Sequence, residues 1–431
     1  HSEIIKETLP TFSGDVLIKA VSLYELARVQ RSLHNLQAEA RLYESIVEVA
    51  RNSLPKRHPV LAAILVDMAG LLKDKGDYPA AEKAMREALD IVRKVMGGHP
   101  RLIEPLREFA VQLSVRGDFD EAEQLHRESL RIFLQRRPGQ RNGHIDTMYR
   151  IAEVLRQRGR YEAAKKTLAD ALQIQPEPNG DAAHDGPRSI LARTTYEEGD
   201  WQGAQALYEK LLSEPRHAAS TDLRLAWREC AAELGQLDAA RERLDQVTSS
   251  FEGFDETAAH SLDGLRDAAA TLASIGRFPK ALATARELLK RSAKAWPSDH
   301  PELVRDRAVF VQIVLQSREA FAPEGFDEAV LAQADKLLTD NERCCRRQLG
   351  ADHPWLAQNH LVRARLAASQ GDASTAVAQA TEAVRILGAH FSGDHPWLLK
   401  ARYQLAEHHR QANQVSAAAT ELRQLLADFP A

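Results

Sequence analysis

A short sequence pattern recurs along this chain about every 42 residues, and it constrains the fold more than any other feature. Its clearest copy is Gly76-Asp77-Tyr78, followed at fixed offsets by Ala81 and Ala88. The residue equivalent to Gly76 stands at positions 34, 76, 117, 159, 199, 235, 276, 371 and 413. The interval from 276 to 371 is about twice the usual length and contains a further copy around 324–329. The chain therefore holds ten repeats.

Each repeat has the pattern of two helices joined by a short turn. Before the turn, Leu65, Met68 and Leu72 are three or four residues apart, and after it Ala81 and Met85 continue the same spacing. This spacing places apolar side chains on one face of a helix, whereas no segment has the alternation typical of a strand. The turn glycine can adopt the left-handed conformation that ends the first helix. Asparagine, which stands there in the last repeat, is the next most tolerant residue.

A small residue precedes the turn residue by seven positions in most repeats. We expect it to let two helix backbones cross closely. It is alanine in eight repeats, at Ala27, Ala69, Ala110, Ala152, Ala192, Ala269, Ala364 and Ala406. The sixth repeat has Arg228 instead, and the eighth carries an insertion over 317–325.

Five repeats open with a His-Pro pair, whose prolines are Pro59, Pro100, Pro301, Pro354 and Pro396. Proline suits the first helical position, because the N–H that it lacks would have no intrahelical partner there. The residue before proline is held out of the helical region, so histidine occupies the cap. Each pair predicts a helix start.

Charge and composition exclude several classes of protein. The formal net charge is −4 and the isoelectric point about 6.5, whereas a general nucleic-acid binder normally has a basic excess. The longest apolar stretch, about 60–66, is much shorter than a membrane span, and no secretory leader is visible. We expect a cytoplasmic protein with no nucleic-acid or membrane partner. Arginine outnumbers lysine 42 to 15, which suggests a GC-rich, bacterial genome.

The residues that usually carry chemistry do not form a motif. Three cysteines, Cys230, Cys344 and Cys345, are too few for a disulfide framework or a four-thiolate zinc site, and we expect reduced structural thiols. There is no phosphate-binding glycine loop and no His-Glu-x-x-His pair. The His-Pro histidines stand at successive helix starts, too far apart to converge on zinc. The sequence predicts no catalytic, cofactor or metal site, and therefore no enzyme.

Two short helices cannot bury their apolar faces alone, but stacked neighbours can share a continuous core. The repeats therefore predict an all-α fold, a right-handed superhelical solenoid of about ten helix-turn-helix hairpins. We expect an N-terminal segment or cap at 1–15 and a continuous solenoid over 16–431. A breaker-rich stretch at 175–187 predicts a flexible break. The repeat bounds are near 16–57, 58–98, 99–141, 142–177, 187–217, 221–252, 258–299, 300–352, 353–394 and 395–431.

The small residue, the Gly-Asp-aromatic turn and the later alanines resemble the tetratricopeptide repeat. The period of about 42 residues and the His-Pro openings are similar to the lengthened repeat of kinesin light chains and their bacterial relatives. The resemblance covers roughly residues 16–430. It implies a surface that binds proteins or peptides, but such repeats serve many unrelated partners.

The resemblance also implies where a partner would bind, because in such repeats the first helix of each hairpin lines the concave face. Arginine and tyrosine, the residues enriched in protein interfaces, are frequent at the matching positions. Both signs of charge occur there, so steering by one charge type is not predicted. These positions are Tyr24, Arg28, Arg31, Val66, Lys73, Arg107, Val111, Tyr149, Glu153, Arg156, Arg193, Tyr196, Arg266, Arg365, Tyr403, Glu407 and Arg410.

Three hypotheses for function follow. The first is a non-catalytic adaptor, and its specific form is a kinesin-light-chain-like protein that associates with bacterial tubulin-type filaments. The second is the sensor or regulatory region of a larger bacterial signalling protein truncated at His1, which an attached catalytic domain would favour. The third is an enzyme, which a bound cofactor or a cleft of convergent titrating groups would favour.

Overall fold

A computed structural model of the chain describes residues 22–23, 25–27, 29–30, 36–174, 185–217, 220–250, 261–320, 328–393 and 395–428. All regular secondary structure in these ranges is helical, so the predicted all-α class is confirmed. The backbone divides into two compact bodies. The first comprises His1–Ile151 with Pro176–Asn179, and the second comprises Ala152–Gln175 with Gly180–Ala431. Most of the break predicted at 175–187 lies outside the described residues.

The first body consists of consecutive helices and one 3-10 turn at Pro100–Leu102. The last of these helices continues past residue 151 into the second body. The helices are α1 (Leu36–Ser53), α2 (Pro59–Asp74), α3 (Tyr78–Met96), α4 (Ile103–Arg116), α5 (Phe119–Arg136) and α6 (Arg141–Gln157).

The second body continues the alternation, in which the even-numbered helices are the first helices of the repeats. The remaining helices are α7 (Tyr161–Gln173), α8 (Asp185–Glu198), α9 (Trp201–Leu212), α10 (Thr221–Glu233), α11 (Leu237–Ser250), α12 (Leu262–Ser274), α13 (Phe278–Ala295), α14 (Pro301–Ala320), α15 (Glu328–Gln348), α16 (Pro354–Ser369), α17 (Ala373–His390), α18 (Pro396–Gln411) and α19 (Val415–Asp428).

The turn residues adopt the left-handed conformation that the sequence predicts. The φ angle is 83° at Gly76, Gly117 and Gly371. It is also positive at Gly159, Gly199, Gly235 and Gly276. Asn413 has a φ of 59° and is the one non-glycine residue with positive φ in the described ranges. The same backbone geometry therefore ends the first helix in each of these repeats.

The alanines at the predicted crossing position are buried. All eight have an exposed fraction of 2% or less. In the sixth repeat the Arg228 side chain at this position remains 24% exposed and lies 3.9 Å from Glu229. A long side chain thus replaces the close backbone contact there.

Neighbouring repeats bury apolar side chains against each other, as a solenoid requires. A single cluster includes Leu272, Phe310, Leu338 and Leu366, which belong to the seventh, eighth and ninth repeats. Consecutive first helices also contact one another, α12 with α14, α14 with α16, and α16 with α18. Burying a side chain such as Phe310 contributes roughly 1.5–3 kcal/mol, so each repeat depends on its neighbours for stability.

The predicted histidine caps form at four of the five His-Pro pairs. The Nδ1 atoms of His58, His300, His353 and His395 each accept a backbone N–H two residues ahead, at 3.0–3.2 Å.

The helix start predicted at Pro100 forms as a 3-10 turn over Pro100–Leu102, and the α-helix α4 begins at Ile103. Pro105 gives the reason. A helix starting at Pro100 would place Pro105 beyond its first turn, where its missing N–H breaks the hydrogen-bond ladder.

The eighth repeat also differs from expectation. Its first helix, α14, runs to Ala320, and Leu315 and Ser317 are buried. The start of the expected insertion at 317 is therefore helical, and 321–327 lie outside the described residues.

Candidate protein-interaction surface

The predicted partner-binding positions fall into an exposed and a buried set. Tyr24, Arg28 and Arg31 lie outside the described residues. The side chains of Lys73, Arg193 and Arg410 are 46%, 57% and 66% exposed, and the residues Val111 and Tyr403 are 40% and 54% exposed. We call these five the open positions.

The other predicted positions are less accessible. Tyr149, Glu153 and Tyr196 are half-buried. Val66 is only 4% exposed and belongs to the core of the first body, so the structure corrects its assignment to an accessible face. Burial raises the pKa of Tyr196 to about 12, and nearby Glu229 and Glu233 act in the same direction. Its hydroxyl is therefore protonated at neutral pH and can donate a hydrogen bond.

The predicted arginines that are buried form ion pairs between consecutive first helices. In the first body, Arg107 of α4 pairs with Asp146 of α6. In the second body, Arg156 of α6 donates to Glu197 of α8 at 2.6 Å. Arginine suits such contacts, because two N–H groups of its guanidinium can bond both oxygens of one carboxylate.

Two further predicted arginines, the buried Arg266 and the partly exposed Arg365, also pair with acids on a neighbouring first helix. Arg266 of α12 donates from Nε to Asp306 of α14 at 2.7 Å, and Arg365 of α16 donates to Glu319 of α14 at 2.6 Å. Asp306 is fully buried. These arginines hold the stack together in addition to any contact with a partner.

The electrostatics of Arg156 show how strongly such a pair is held. Burial alone lowers the pKa of this guanidinium, but hydrogen bonds and charges from Glu153 and Glu197 outweigh it and raise the pKa above its ordinary value. Arg156 therefore stays charged although its side chain is only 7% exposed.

Sequence reasoning missed the acidic partners Asp146, Glu197 and Asp306. A signal for them is present in the sequence. Each acid follows its arginine by 39 to 41 residues, which is one repeat period. Because consecutive first helices lie side by side, residues one period apart are neighbours in space.

A cleft of about 900 Å³ in the second body was also not predicted. One wall is the turn at Gly159 with the start of α7, including Tyr161. The facing wall is the start of α18, including Leu399 and Tyr403, with Leu425 of α19 behind it. The volume falls in the range of roughly 300–1,000 Å³ typical of ligand sites.

A contact between residues 238 positions apart forms this cleft. The Nδ1 of His395 accepts the Trp397 N–H, so Nε2 carries the proton and donates to the Gln157 carbonyl at 2.9 Å. A Cβ added to Gly159 would lie 3.0 Å from the His395 ring. The absence of a side chain at Gly159 thus lets the tenth repeat approach the fourth.

Aromatic stacking holds His395 in place. Its ring stacks on Phe391 with the ring centroids 3.9 Å apart. The Trp397 ring packs edge-on against the His395 ring, with the centroids 5.8 Å apart. The approach of α18 to the turn at Gly159 therefore rests on an ordered aromatic cluster.

The residues that could carry other chemistry are used structurally. The three cysteines are unbonded and buried, and burial raises the pKa of Cys345 to about 12. Among the described residues, no group of three or more histidine, cysteine or acidic side chains is placed to hold a metal ion. None of the described helices has an apolar stretch long enough to cross a bilayer.

Comparison with protein families identifies the repeat. Two family models, both described as tetratricopeptide repeat, match this chain. One matches residues 60–135 and 106–177, and the other matches 195–262. Residues 60–177 and 195–262 carry tetratricopeptide repeats. Proteins built from these repeats are generally non-catalytic, and the repeats indicate a scaffold for protein–protein interaction.

Comparison with solved structures finds matches at low identity. Kinesin-light-chain TPR-like repeats from Podospora anserina are 22% identical over 44% of this chain and 90% of theirs, with a TM-score of 0.39. BtubC (BKLC) from P. vanneervenii is 17% identical over 58% of this chain and 97% of its own, with a TM-score of 0.39. A Rap protein complexed with competence and sporulation factor is 12% identical over 96% of this chain and 97% of its own, with a TM-score of 0.47. No curated protein matches the chain.

Proposed function

We propose that this tetratricopeptide-repeat chain is a non-catalytic adaptor that holds a protein partner along the first helices of its repeats. The observation that carries the proposal is that those helices have a buried side that packs and an accessible side that does not. The alanines that stack the helices are buried, whereas large side chains at the open positions remain accessible. Arginine, tyrosine and valine on a rigid scaffold provide the anchors that protein interfaces use.

The specific partner that we propose is a bacterial tubulin-type filament. The support is the repeat itself, since its length and its His-Pro openings resemble the kinesin-light-chain type. Consecutive first helices of the second body contact one another, so they can present neighbouring side chains to successive parts of a periodic surface.

Co-sedimentation with polymerised bacterial tubulin tests this proposal. We expect the full chain to pellet with polymers and to remain in the supernatant when GTP is omitted. The double variant Arg193→Ala/Arg410→Ala removes two open positions and should pellet less. The matched control Arg131→Ala/Arg343→Ala removes two exposed arginines from the second helices α5 and α15 and should pellet as the unmodified chain does.

Two results would count against the proposal. A chain that stays in the supernatant with intact polymers would exclude the filament as partner. Equal loss of binding in both double variants would mean that general positive charge, rather than the first-helix surface, carries the interaction.

A further inference from the structure

The cleft between the turn at Gly159 and the start of α18 has an apolar interior. Tyr161 and Tyr403 stand on opposite walls, and Leu399 and Leu425 line it on the side of Tyr403. Tyr403 is 54% exposed although it is aromatic. Burial raises the pKa of Tyr161 to about 12, so this phenol is a neutral part of the wall. The interior therefore suits a large apolar side chain.

The acidic groups at the cleft already have cationic partners in the same body. Glu197 accepts from Arg156 at 2.6 Å and from Arg193 at 3.1 Å. Lys165 pairs with Glu162 at 2.8 Å and also with Glu198. Glu197 is thus compensated by two arginines, whereas Glu162 and Glu198 share one lysine.

The basic groups at the cleft are not compensated. Arg160 and Lys400 line it from opposite walls, and both are exposed. Neither forms an ion pair with any residue that the structure describes. Two cations without partners, beside an apolar interior, favour a ligand that combines negative charge with an apolar group.

We infer that this cleft docks an acidic peptide segment of a partner protein, with a large apolar side chain inserted between Tyr161 and Tyr403 and carboxylates beside Arg160 and Lys400. The inference rests on the proposed adaptor function and adds a binding surface whose basic groups, Arg160 and Lys400, are not among the open positions. Tyr403 belongs to both surfaces, and Arg193 donates to the cleft residue Glu197. The cleft exists only because the tenth repeat reaches the fourth, so a single hairpin cannot provide it.

Fluorescence anisotropy with defined peptides tests the inference on the full chain. The probe is a short fluorescein-labelled peptide in which one phenylalanine is flanked by glutamates. One comparison peptide replaces phenylalanine with alanine, and another replaces the glutamates with lysines. We expect the probe to bind best, and its affinity to fall at high salt because exposed charges are screened. Equal binding of the lysine peptide would overturn the inference.

Variants locate the site. Arg160→Glu/Lys400→Glu should weaken binding of the probe about tenfold, since it replaces attraction with repulsion at two exposed positions. Tyr403→Ala should also weaken it about tenfold by removing an aromatic anchor. The control Arg136→Glu/Lys336→Glu makes the same change in net charge at exposed positions away from the cleft and should bind as the unmodified chain does. Circular dichroism of each variant confirms that it is folded.

Three outcomes separate this inference from the proposed function. Loss of probe binding in Arg160→Glu/Lys400→Glu supports the cleft whether or not the chain binds filaments, because neither residue is one of the open positions. Unchanged probe binding in both cleft variants overturns the inference and leaves the proposed function standing. A concentration-dependent dimer that Tyr403→Ala abolishes, seen by analytical ultracentrifugation, would show that a second copy of the chain covers the cleft and would also overturn it.

Discussion

Arg266 donates from Nε to the Asp306 carboxylate at 2.7 Å and so joins the first helices of two consecutive repeats through a buried ion pair. Burial raises the pKa of Asp306, and Arg266 opposes that rise. The contact illustrates how residues suited to binding a partner also hold neighbouring repeats together.

Removing only the cation of this pair should lower the stability of the protein more than removing both charges. We expect Arg266→Met to lower the free energy of unfolding by about 3–5 kcal/mol, because it leaves the buried Asp306 without its partner. The double variant Arg266→Met/Asp306→Leu should recover most of that loss. Urea unfolding followed by circular dichroism measures both. A double variant less stable than Arg266→Met would contradict the argument.

Substitution by alanine at two glycines of the ninth repeat should change the stability of the protein in opposite directions. Gly371 has a φ of 83°, so Gly371→Ala should destabilise by about 1–2 kcal/mol through backbone strain alone, since no atom lies within 4 Å of the added methyl. Gly388 lies within α17 with the same free space, so Gly388→Ala should stabilise by about 0.5–1 kcal/mol. Gly371→Asn should be milder than Gly371→Ala, because Asn413 adopts this conformation naturally. Thermal unfolding measures these changes. A shift of the midpoint temperature in the same direction for both alanine variants would contradict the prediction.

Buried His126 should make the first body sensitive to acid. Burial, with smaller effects from Arg150 and Arg107, lowers the pKa of His126 from 6.5 to about 3. The folded state therefore excludes a proton that the unfolded chain binds below about pH 6.5, and stability is lost as the pH falls from there toward about 3. The limiting slope for this group is about 1.4 kcal/mol per pH unit.

The variant His126→Gln isolates that contribution from those of other titrating groups. Between about pH 7 and pH 5, the urea midpoint should fall less in His126→Gln than in the unmodified chain. His409→Gln, which changes a histidine that hydrogen-bonds Gln414 in the last repeat, is the control and should keep the full decrease. Identical pH dependence in all three proteins would rule out a neutral, buried His126.

The approach of the tenth repeat to the fourth should be measurable in solution. Spin labels at Glu162→Cys and Lys400→Cys, both exposed at the cleft, should give one short and narrow distance distribution by pulsed electron resonance. His395→Asn should broaden it, because asparagine can still cap the helix but does not extend to the Gln157 carbonyl. His353→Asn removes the equivalent histidine from the ninth repeat and should leave the distances unchanged. A broad distribution in the otherwise unmodified chain would mean that the cleft does not persist.

Local sequence features predicted the elements of this fold correctly. The positive φ at Gly371 and Asn413, the burial of Ala364 and the cap at His353 each depend on a few neighbouring residues. Steric limits on φ, helix periodicity and the missing proline N–H act over that short range, so the sequence alone determined the paired helices and their stacking. At Pro100 the predicted helix start is a 3-10 turn, and α4 begins at Ile103 because Pro105 lacks the N–H that an α-helix from Pro100 would need.

Other features depend on residues that are distant in sequence. The ion pair of Arg156 with Glu197 requires the side-by-side placement of two repeats, which turns a predicted binding residue into part of the stack. The bond from His395 to Gln157 depends on the small rotation between repeats summed over the second body. The sequence by itself determined what each repeat is. Only the tertiary structure decided which charges are buried and where the cleft forms, because small differences in packing accumulate along the stack and no local pattern specifies their sum.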